Sequence, residues 1–397
     1  MKSIRYLSLL LVASVALSCT SNQAAPAEAA YTWPDENWPV STPEAEGVDA
    51  AAIEALQTDI AAGKYGLIDH FLLIRHGKVI ADHHYTQDYE SIAAEYDTTN
   101  HQYNYDHPAW HPYYQDTKLH TLQSVTKSIT SAALGIAVDE GHLDGVESKP
   151  MAMFSGYAQD FEDSRRGDIT LDDLLTMRSG IDWNEMISYD DATNSCVLIE
   201  ASDNWIQFVL DQPMREAAGT KFDYNSGVSV LLGKLVGLST GQRVDQWTDE
   251  KLFKPIGIKE YYWKITPMGE VDTEGGLYLK THDLARIGYL FLRKGKWKDK
   301  QVISEAWVEK STAPVVADIW PENGETDSGY GYQWWISGHE AGGTPVFAGN
   351  GYGGQFVIVS PEHDIVLVFN GWNIHNRPEM FTARAFDERI LPAVKQD

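Results

Sequence analysis

The sequence predicts an α/β fold with an additional α region: one mainly antiparallel sheet, built from both ends of the chain and flanked by helices, with a mostly helical insertion between them. Two observations predict this class. Short apolar or alternating runs, typical of strands, occur at 68–85 and again beyond residue 270. Between them, residues 121–258 carry mainly the 3.6-residue apolar spacing of helices. Strands at both ends around a helical middle favour a single sheet to which both ends contribute.

The elements can be justified in order along the chain. Residues 48–62 have Ile53, Leu56 and Ile60 at helical spacing, and two strand-like runs hinged at His76-Gly77 follow as a hairpin. Four helical runs come next: SITSAALGIAVDEG, TLDDLLTM, NWIQFVL and VSVLLGKLVGLSTG. Four strand-like runs follow them: GGLYLK, YGYQWWI, GQFVIVS and DIVLVFNGW. A last helix is predicted near 380–390.

These patterns predict four parts of the chain. Residues 1–18 form a signal peptide and residues 19–46, rich in Ala, Pro and Ser, form a flexible tether. Residues 47–120 and 270–397 together form the sheet domain. Residues 121–269 form the mostly helical domain, which carries the candidate nucleophile described below.

The N-terminus predicts export. Lys2 and Arg5 precede an apolar run that is too short to span a membrane comfortably, as in a secretory signal. The run ends in ALSC, which resembles a bacterial lipoprotein processing site at Cys19. The expected location is the periplasm or, through a lipid on Cys19, the outer membrane; cleavage of an ordinary signal peptide nearby is the alternative. The membrane is expected as a partner only through this anchor.

Composition excludes several classes of function. The 397 residues carry a formal net charge of −26, which repels nucleic acid. The two cysteines, Cys19 and Cys196, are too few for a disulfide framework or a four-thiolate metal site.

The stretch HQYNYDHPAWHPYY at 101–114 is a loop with several imidazoles and aromatic rings. Its prolines oppose the helix that would bring His107 and His111 together as metal ligands, so this loop is interpreted as an active-site wall. We expect neither a metal nor an organic cofactor, and the sequence leaves the oligomeric state open.

Ser124 and Lys127 form a Ser-x-x-Lys motif at the start of an apolar helix. Residues three apart on a helix share a face, so the two side chains can touch. A serine at a helix N-terminus meets the positive end of the dipole, and burial pushes a lysine toward its neutral, basic form. This geometry is that of a base-activated serine, but the motif taken alone is more typical of an N-cap serine with a solvated lysine. The one Gly-x-Ser-x-Gly, around Ser239, follows a helix where a nucleophile elbow would need a strand, and it is interpreted as a helix end.

Two further segments complete a candidate catalytic set. Tyr224 lies in a turn just before an apolar helix, where its phenol can relay protons beside a lysine, although such a tyrosine is also a common packed aromatic. The glycine-rich stretch 349–354 precedes an apolar strand. The backbone N–H of Gln355, paired with that of Ser124, is a candidate oxyanion hole, the alternative being a plain glycine-rich hairpin.

Ser-x-x-Lys on a helix, then Tyr224-Asn225-Ser226, then a glycine-rich strand, in this order, resembles the serine hydrolases related to class C β-lactamases and penicillin-binding proteins. The resemblance extends over roughly residues 50–390. It implies a β-lactamase/transpeptidase-like fold, with Ser124 as the acyl-forming nucleophile, Lys127 as its base and Tyr224 as partner base and acid. It also implies that Gln355 supplies the second oxyanion N–H.

The chain departs from the lactamase pattern at two motifs that contact substrate. Ser226 stands where the lactamases have Asn, and Tyr352-Gly353-Gly354 stands where they have Lys-Thr-Gly, so the cation that holds a penicillin carboxylate is missing. Trp183, in the motif SGIDW, is a further candidate for the pocket wall. Similar replacements occur in the family's esterases and in hydrolases of linear 6-aminohexanoate oligomers.

The expected function is therefore an exported serine hydrolase for a small ester or amide, acting through an acyl-Ser124 intermediate. The acidic surface favours neutral or cationic substrates over anionic ones. A true β-lactamase, a D-Ala-D-Ala peptidase and a non-catalytic peptide- or glycan-binding protein of the same fold are the alternatives. The sequence does not choose between ester and amide.

Overall fold

The computed structural model describes residues 31–94, 118–157, 163–320, 327–338, 344–373 and 381–395. The predicted signal peptide, Cys19 and the loop at 101–114 lie outside these residues. Thr32–Asp397 forms one compact unit. In the part of the chain that is described, no helix combines the length and apolar character needed to cross a membrane.

A seven-stranded antiparallel sheet, in the order β2-β1-β12-β11-β10-β9-β8, forms the centre of the fold. Its first two strands come from the beginning of the chain and the other five from the end, which confirms the prediction of one sheet built from both ends. The described strands are β1 (Ile68–Arg75), β2 (Lys78–His84), β3 (His120–Thr121), β4 (Tyr262–Trp263), β5 (Leu277–Leu279), β6 (Lys296–Trp297), β7 (Lys300–Gln301), β8 (Ser328–Tyr330), β9 (Trp335–Ser337), β10 (Val346–Gly351), β11 (Gln355–Ser360) and β12 (Ile365–Gly371).

The hairpin between β1 and β2 turns where the sequence predicts it. His76 and Gly77 both have positive φ, 52° and 74°. Two left-handed residues give the turn a twist that matches the twist of the strands. A side chain at position 77 would also place its Cβ 2.2 Å from the carbonyl oxygen of Thr32.

Both faces of the sheet are covered. On β11, Val357 and Val359 pack into the larger core beneath the helical region, whereas Phe356 and Ile358 pack into a second core on the opposite face. This is the two-residue alternation of a strand buried on both sides. The larger core takes residues from both predicted domains, and the predicted boundary between them stays a prediction.

Along the chain, most of the described α-helices lie between the first two strands of the large sheet and its last five. They are α1 (Ala50–Ala61), α2 (Tyr89–Ala93), α3 (Val125–Asp139), α4 (Leu171–Leu175), α5 (Ser195–Glu200), α6 (Trp205–Asp211), α7 (Ser226–Thr240), α8 (Val244–Thr248), α9 (Lys254–Ile256), α10 (Thr281–Leu292), α11 (Glu305–Ser311) and α12 (Phe381–Ala385). Short 3₁₀ and π segments cover Glu44–Glu46, Pro150–Phe154, Ser164–Asp168, Asp249–Phe253, Phe386–Ile390 and Leu391–Ala393.

Helix α3 is the central helix of the molecule. It packs on α7 and on β10, so the helix that begins at the Ser-x-x-Lys motif lies between the helical region and the sheet. Strand β3, which belongs to a small sheet in the order β3-β5-β4, directly precedes this helix along the chain. It ends at Thr121, three residues before Ser124.

The last part of the predicted tether packs against the folded chain. Trp38 is buried and its indole N–H donates to the carbonyl of His282 at 3.2 Å. Glu46 is also buried and accepts hydrogen bonds from Lys78 and Ser41 at 2.8 and 2.7 Å.

Candidate active site

Ser124 lies at a turn that presents it to solvent. The preceding residue, Gln123, has a φ of 47°, a left-handed conformation that non-glycine residues adopt at a cost. The side chain of Gln123 holds the turn by donating to Thr121 Oγ1 at 2.8 Å. Ser124 is the N-cap of α3, and it is the one residue of 119–137 that is not buried. The chain therefore exposes this serine at the N-terminus of a helix that is otherwise buried there.

Lys127 contacts Ser124, as the spacing predicts. Its Nζ donates to Ser124 Oγ at 2.9 Å, and the side chain is 1% exposed. The same Nζ lies 2.8 Å from the carbonyl oxygen of Glu274 and 3.1 Å from its Oε2. All three of these contacts are with oxygen acceptors, so the ammonium of Lys127 is fully engaged in the resting structure.

Glu274 is an acidic residue of this site that the sequence analysis missed. It lies in the segment Asp272-Thr273-Glu274-Gly275-Gly276, where the Asp272 carboxylate accepts from the backbone N–H groups of Glu274 and Gly275 at 3.2 and 3.0 Å. Gly276 is required by close approach, because a Cβ there would lie 2.6 Å from that of Asp272. The turn signal DTEGG was readable in the sequence, but its contact with a lysine 147 residues away was not.

Further ionisable groups surround Glu274. Glu200 and Cys196 lie beside it, with their ligand atoms within 4.8 Å of one another, and Lys264 pairs with Asp272 at 3.0 Å. Burial and the charge of Glu274 raise the pKa of Glu200 well above its usual value, against the lowering effect of the Lys264 charge. Burial also raises the pKa of the Cys196 thiol, which is consistent with the small buried residue predicted at this position.

The pKa of Lys127 lies above its ordinary value, and this corrects the expectation of a neutral lysine. Burial acts to lower the pKa, but the charges that Tyr224, Glu274 and Glu185 can carry act to raise it and prevail. In turn, although burial alone would raise the pKa of Glu274, the Lys127 charge holds it below the usual value. The resting site thus contains a cationic lysine paired with a carboxylate.

Tyr224 faces the same serine. It is close enough to Ser124 for that side chain to lower its pKa, and its ring centroid lies 5.3 Å from Lys127 Nζ. The ring stacks on Trp335 at 5.4 Å, which fixes its plane. Burial raises the pKa of Tyr224 to about 12, against the lowering influence of the Lys127 charge. The structure therefore brings together Ser124, Lys127 and Tyr224, the three catalytic residues predicted from the sequence.

Two residues expected to line the pocket are instead used to build its support. Ser226 is fully buried and donates from its hydroxyl to Glu185 Oε1 at 2.6 Å and from its backbone N–H to Oε2 at 2.8 Å. Trp183 is 2% exposed and donates its indole N–H to the same carboxylate at 2.7 Å. Because both groups are engaged with Glu185, they support the pocket and are not assigned to substrate binding.

Gln355 also has a different environment from the one expected. It is fully buried, and its side-chain carbonyl accepts from Asn370 and Gly371 on the neighbouring strand β12, each at 3.2 Å. The part of the sheet that approaches the serine is the end of β10. A Cβ on Gly351 would lie 2.3 Å from the carbonyl oxygen of Leu122, and one on Gly349 would lie 2.9 Å from Val125. The second oxyanion donor is therefore better sought on 349–351 than at Gln355.

The turn after β10 explains the remaining glycines. Gly353 and Gly354 have φ of 84° and 94°, as a tight hairpin turn requires. Tyr352, at the start of that turn, is half-buried and packs on Tyr189 with ring centroids 5.0 Å apart. Of this motif, Tyr352 remains a candidate for a pocket wall.

A model of the Beta-lactamase family matches residues 69–386, which is most of the chain. The chain belongs to the Beta-lactamase family. The resemblance identified from the motifs is thus confirmed, together with the β-lactamase/transpeptidase-like fold.

Relatives of this Beta-lactamase family member include hydrolases of several kinds. The 6-aminohexanoate-dimer hydrolase of Paenarthrobacter ureafaciens is 26% identical over 264 residues, covering 63% of this chain and 65% of that protein, slightly under two thirds of its length. Among solved structures, EstCE1, a hydrolase with promiscuous acyltransferase activity, superposes with a TM-score of 0.65 at 15% identity over 88% of this chain and 99% of that one. A family VIII carboxylesterase superposes with a TM-score of 0.62 at 15% identity, over 89% of this chain and 98% of that one. These likenesses support a hydrolase of this fold.

The competing serine motif is not an elbow in this family member. Ser239 lies within α7, where its hydroxyl donates to the carbonyl of Val236 at 3.2 Å. Gly241 closes the helix with a φ of 74°. The Gly-x-Ser-x-Gly pattern is therefore a helix C-terminus, as its position after an apolar helix predicts.

Proposed function

We propose that this chain is a serine hydrolase that cleaves a small ester or amide through an acyl-Ser124 intermediate. The observation that supports this most strongly is the geometry at Ser124, the one accessible residue of 119–137. Its Oγ lies 2.9 Å from the Nζ of a buried lysine, and that Nζ lies 5.3 Å from the ring centroid of the buried Tyr224. A serine held only as a helix cap needs neither partner. A protein that only binds ligands has no use for all three groups together.

The proposed reaction starts from a Lys127–Tyr224 pair that has lost one proton. The pair accepts the hydroxyl proton of Ser124 as Oγ attacks the substrate carbonyl carbon, and the resulting oxyanion faces the N–H of Ser124 at the positive end of α3. When the tetrahedral intermediate collapses, the pair returns the proton to the leaving group. Water then releases the acyl group by the same steps in reverse. Because the proton is shared by two groups in contact, the apparent pKa belongs to the pair.

The substrate proposed is a neutral or cationic ester or linear amide. In place of the lactamase lysine the chain has Tyr352, whose half-buried ring beside Tyr189 offers an apolar wall and no cation for a carboxylate. A named relative is a hydrolase of a linear amide dimer, and a solved structure of the same fold is a carboxylesterase. Both chemistries use the same acyl-enzyme.

Labelling with a fluorophosphonate probe tests the nucleophile. The intact protein should be labelled on Ser124, the S124A variant should not be labelled, and S239A, a serine inside a helix, should be labelled like the wild type. Hydrolysis of short-chain p-nitrophenyl esters should fall by at least about 10³-fold in S124A. Equal labelling of wild type and S124A would refute the proposal.

A comparison of substrates tests the proposed class. The wild type should hydrolyse p-nitrophenyl butyrate and a linear aminohexanoate amide, and it should turn over nitrocefin at least about 100-fold more slowly than the ester because no cation stands at Tyr352. Rapid nitrocefin turnover would favour the lactamase alternative.

We also propose export with a lipid on Cys19, on the strength of the charged and apolar segments that precede ALSC. Mass spectrometry of the protein extracted from membranes should find an acylated Cys19 as the first residue. A free N-terminus at another residue would contradict this proposal.

A further inference from the structure

Two imidazoles and a carboxylate meet at the sheet edge, on three separate elements. His70 lies on β1, Asp82 on β2 and His282 in the first turn of α10. The Nε2 of His70 lies 2.7 Å from Asp82 Oδ1, and the Nε2 of His282 lies 3.0 Å from Asp82 Oδ2. One ligand atom from each of the three residues falls within 4.8 Å of the others. Each imidazole thus faces a different oxygen of one carboxylate.

The fold explains why these side chains converge. His70 is directly opposite His84 in the β1–β2 pairing, and Leu72 is opposite Asp82. Residues two apart in a strand point to the same face, so His70, Asp82 and His84 share one face of the sheet. Helix α10 packs on that sheet against β12, β11 and β1, and brings His282 to the same place. The ring of His84 packs against that of His70, with centroids 3.6 Å apart and ring planes tilted by 42°.

The cluster opens onto a large groove. Asp82 and His282 line a groove of about 990 Å³, together with Trp38 and Lys118. Neither Ser124 nor Lys127 nor Tyr224 lines it. His70 is 5% exposed, whereas the side chains of Asp82 and His282 are 35% and 40% exposed. One ligand is therefore fixed in the fold while the other two are reachable from the groove.

We propose that His70, Asp82 and His282 bind a divalent transition-metal ion, Zn²⁺ above all, with its fourth position open to the groove. Imidazole nitrogen and carboxylate oxygen are the donors that Zn²⁺ takes at about 2.0–2.2 Å. At a tetrahedral angle such donors lie about 3.3 Å apart. The separations of 2.7 and 3.0 Å are to different oxygens of Asp82, but one ligand atom from each residue already lies within 4.8 Å of the others. Small rotations of the partly exposed Asp82 and His282 side chains bring one carboxylate oxygen and both nitrogens to the tetrahedral spacing.

This site differs from the one considered in the sequence at His107 and His111, where prolines oppose a metal site and none is expected. The sequence signal for part of this site is the alternation Asp82-His83-His84 on β2, opposite His70 on β1. The alternative is that Asp82 only accepts hydrogen bonds from two imidazoles. In that case the cluster has no affinity for a metal beyond that of exposed histidines in general.

Metal titration of the tag-free, full-length chain decides between the two. After chelator treatment, competition of Zn²⁺ with a chromophoric indicator should give one tight site per chain in the wild type. D82N and H282A should bind on the order of 100-fold more weakly or not at all. Two matched controls should keep wild-type affinity: H142A, a partly exposed histidine beside Glu140, and a triple variant of His101, His107 and His111.

Additional measurements keep the test independent of activity and of folding. Cobalt(II) bound by the wild type should give the intense visible absorption of a tetrahedral site, and D82N should lose it while its far-ultraviolet circular dichroism stays that of the wild type. Because the ligands come from three elements, Zn²⁺ should raise the Tm of the wild type but not of H282A. The S124A variant should bind Zn²⁺ like the wild type. Equal Zn²⁺ affinity of wild type and D82N, or loss of binding in the triple variant alone, would overturn the proposal.

Discussion

At the scale of single residues, the feature that most affects the chemistry is the carboxylate of Glu274. The lysine of the Ser-x-x-Lys motif is buried, and burial without a counter-charge would make it a neutral base. Instead its Nζ lies 3.1 Å from Glu274 Oε2, and its pKa is raised. Glu274 thus holds Lys127 in place and in its cationic form, and the Lys127 charge acts against the burial that raises the pKa of Tyr224.

This arrangement predicts the pH dependence of the reaction. Because the pKa of Lys127 is raised and that of Tyr224 is about 12, the reactive form that has lost a proton gains population as pH rises. We expect kcat/KM for a neutral ester to increase with pH across the range 7–10. In E274Q a charge that raises the pKa of Lys127 is removed, so the rising limb should move to lower pH by about one unit or more. Initial rates from pH 6 to 10.5 measure this shift.

The control for E274Q is E270Q, the same substitution four residues earlier. Glu270 pairs with Lys234 at 2.6 Å, away from Ser124, and E270Q should leave the profile unchanged. On the rising limb a shift of about one unit corresponds to an about 10-fold higher kcat/KM of E274Q at pH 9. A profile in E274Q that coincides with that of the wild type would show that Glu274 does not control the Lys127–Tyr224 pair.

At the scale of elements, the site depends on how closely β10 approaches the turn before α3. Gly351 and Gly349 lie against Leu122 and Val125, on either side of Ser124 in sequence. The pairing of β10 with β9 ends at Ala348 opposite Trp335. The end of β10 is thus the edge that faces the serine, and its approach is possible only without side chains.

Substitution of Gly351 by alanine tests this contact. The Cβ would lie 2.3 Å from a backbone carbonyl, which cannot move without shifting the turn that carries Gln123 and Ser124. We expect kcat for an ester substrate to fall about 100-fold, and the free energy of unfolding to fall by about 1–3 kcal/mol. Steady-state kinetics and urea unfolding measure the two effects.

The matched control is G156A, since a Cβ at Gly156 would meet no atom within 4 Å. It should change neither kinetics nor stability appreciably. If G351A retained wild-type kcat with an unchanged free energy of unfolding, the inference that the site depends on the close approach of β10 to the serine would be refuted.

At the scale of the whole molecule, the sequence predicted what depends on local spacing and missed what depends on contacts across the fold. Ser124 and Lys127 meet because they are three residues apart on a helix, and Tyr224 was found from its place before an apolar helix. Gln355 was chosen from periodicity, which does not say which strand of the hairpin that pairs Gly351 with Gln355 lies nearer the serine, and the role of its N–H stays a prediction. Glu274 meets Lys127 across 147 residues and His282 meets Asp82 across 200, and no single-sequence pattern indicates either contact.

The net charge of the whole chain leads to a last prediction, about substrate charge and salt. A formal charge of −26 produces a negative potential around the molecule that repels anions and attracts cations before they reach the site. Raising the ionic strength from 0.01 to 0.3 M shortens the screening length from about 30 Å to under 10 Å and removes most of this effect. Over that range, kcat/KM should rise by about 3- to 10-fold for an anionic p-nitrophenyl monoester of succinate and fall similarly for a cationic aminoacyl ester, while the neutral butyrate stays constant. A preference for the anionic ester that weakens with added salt would instead require a cation near Ser124 that outweighs the surface charge.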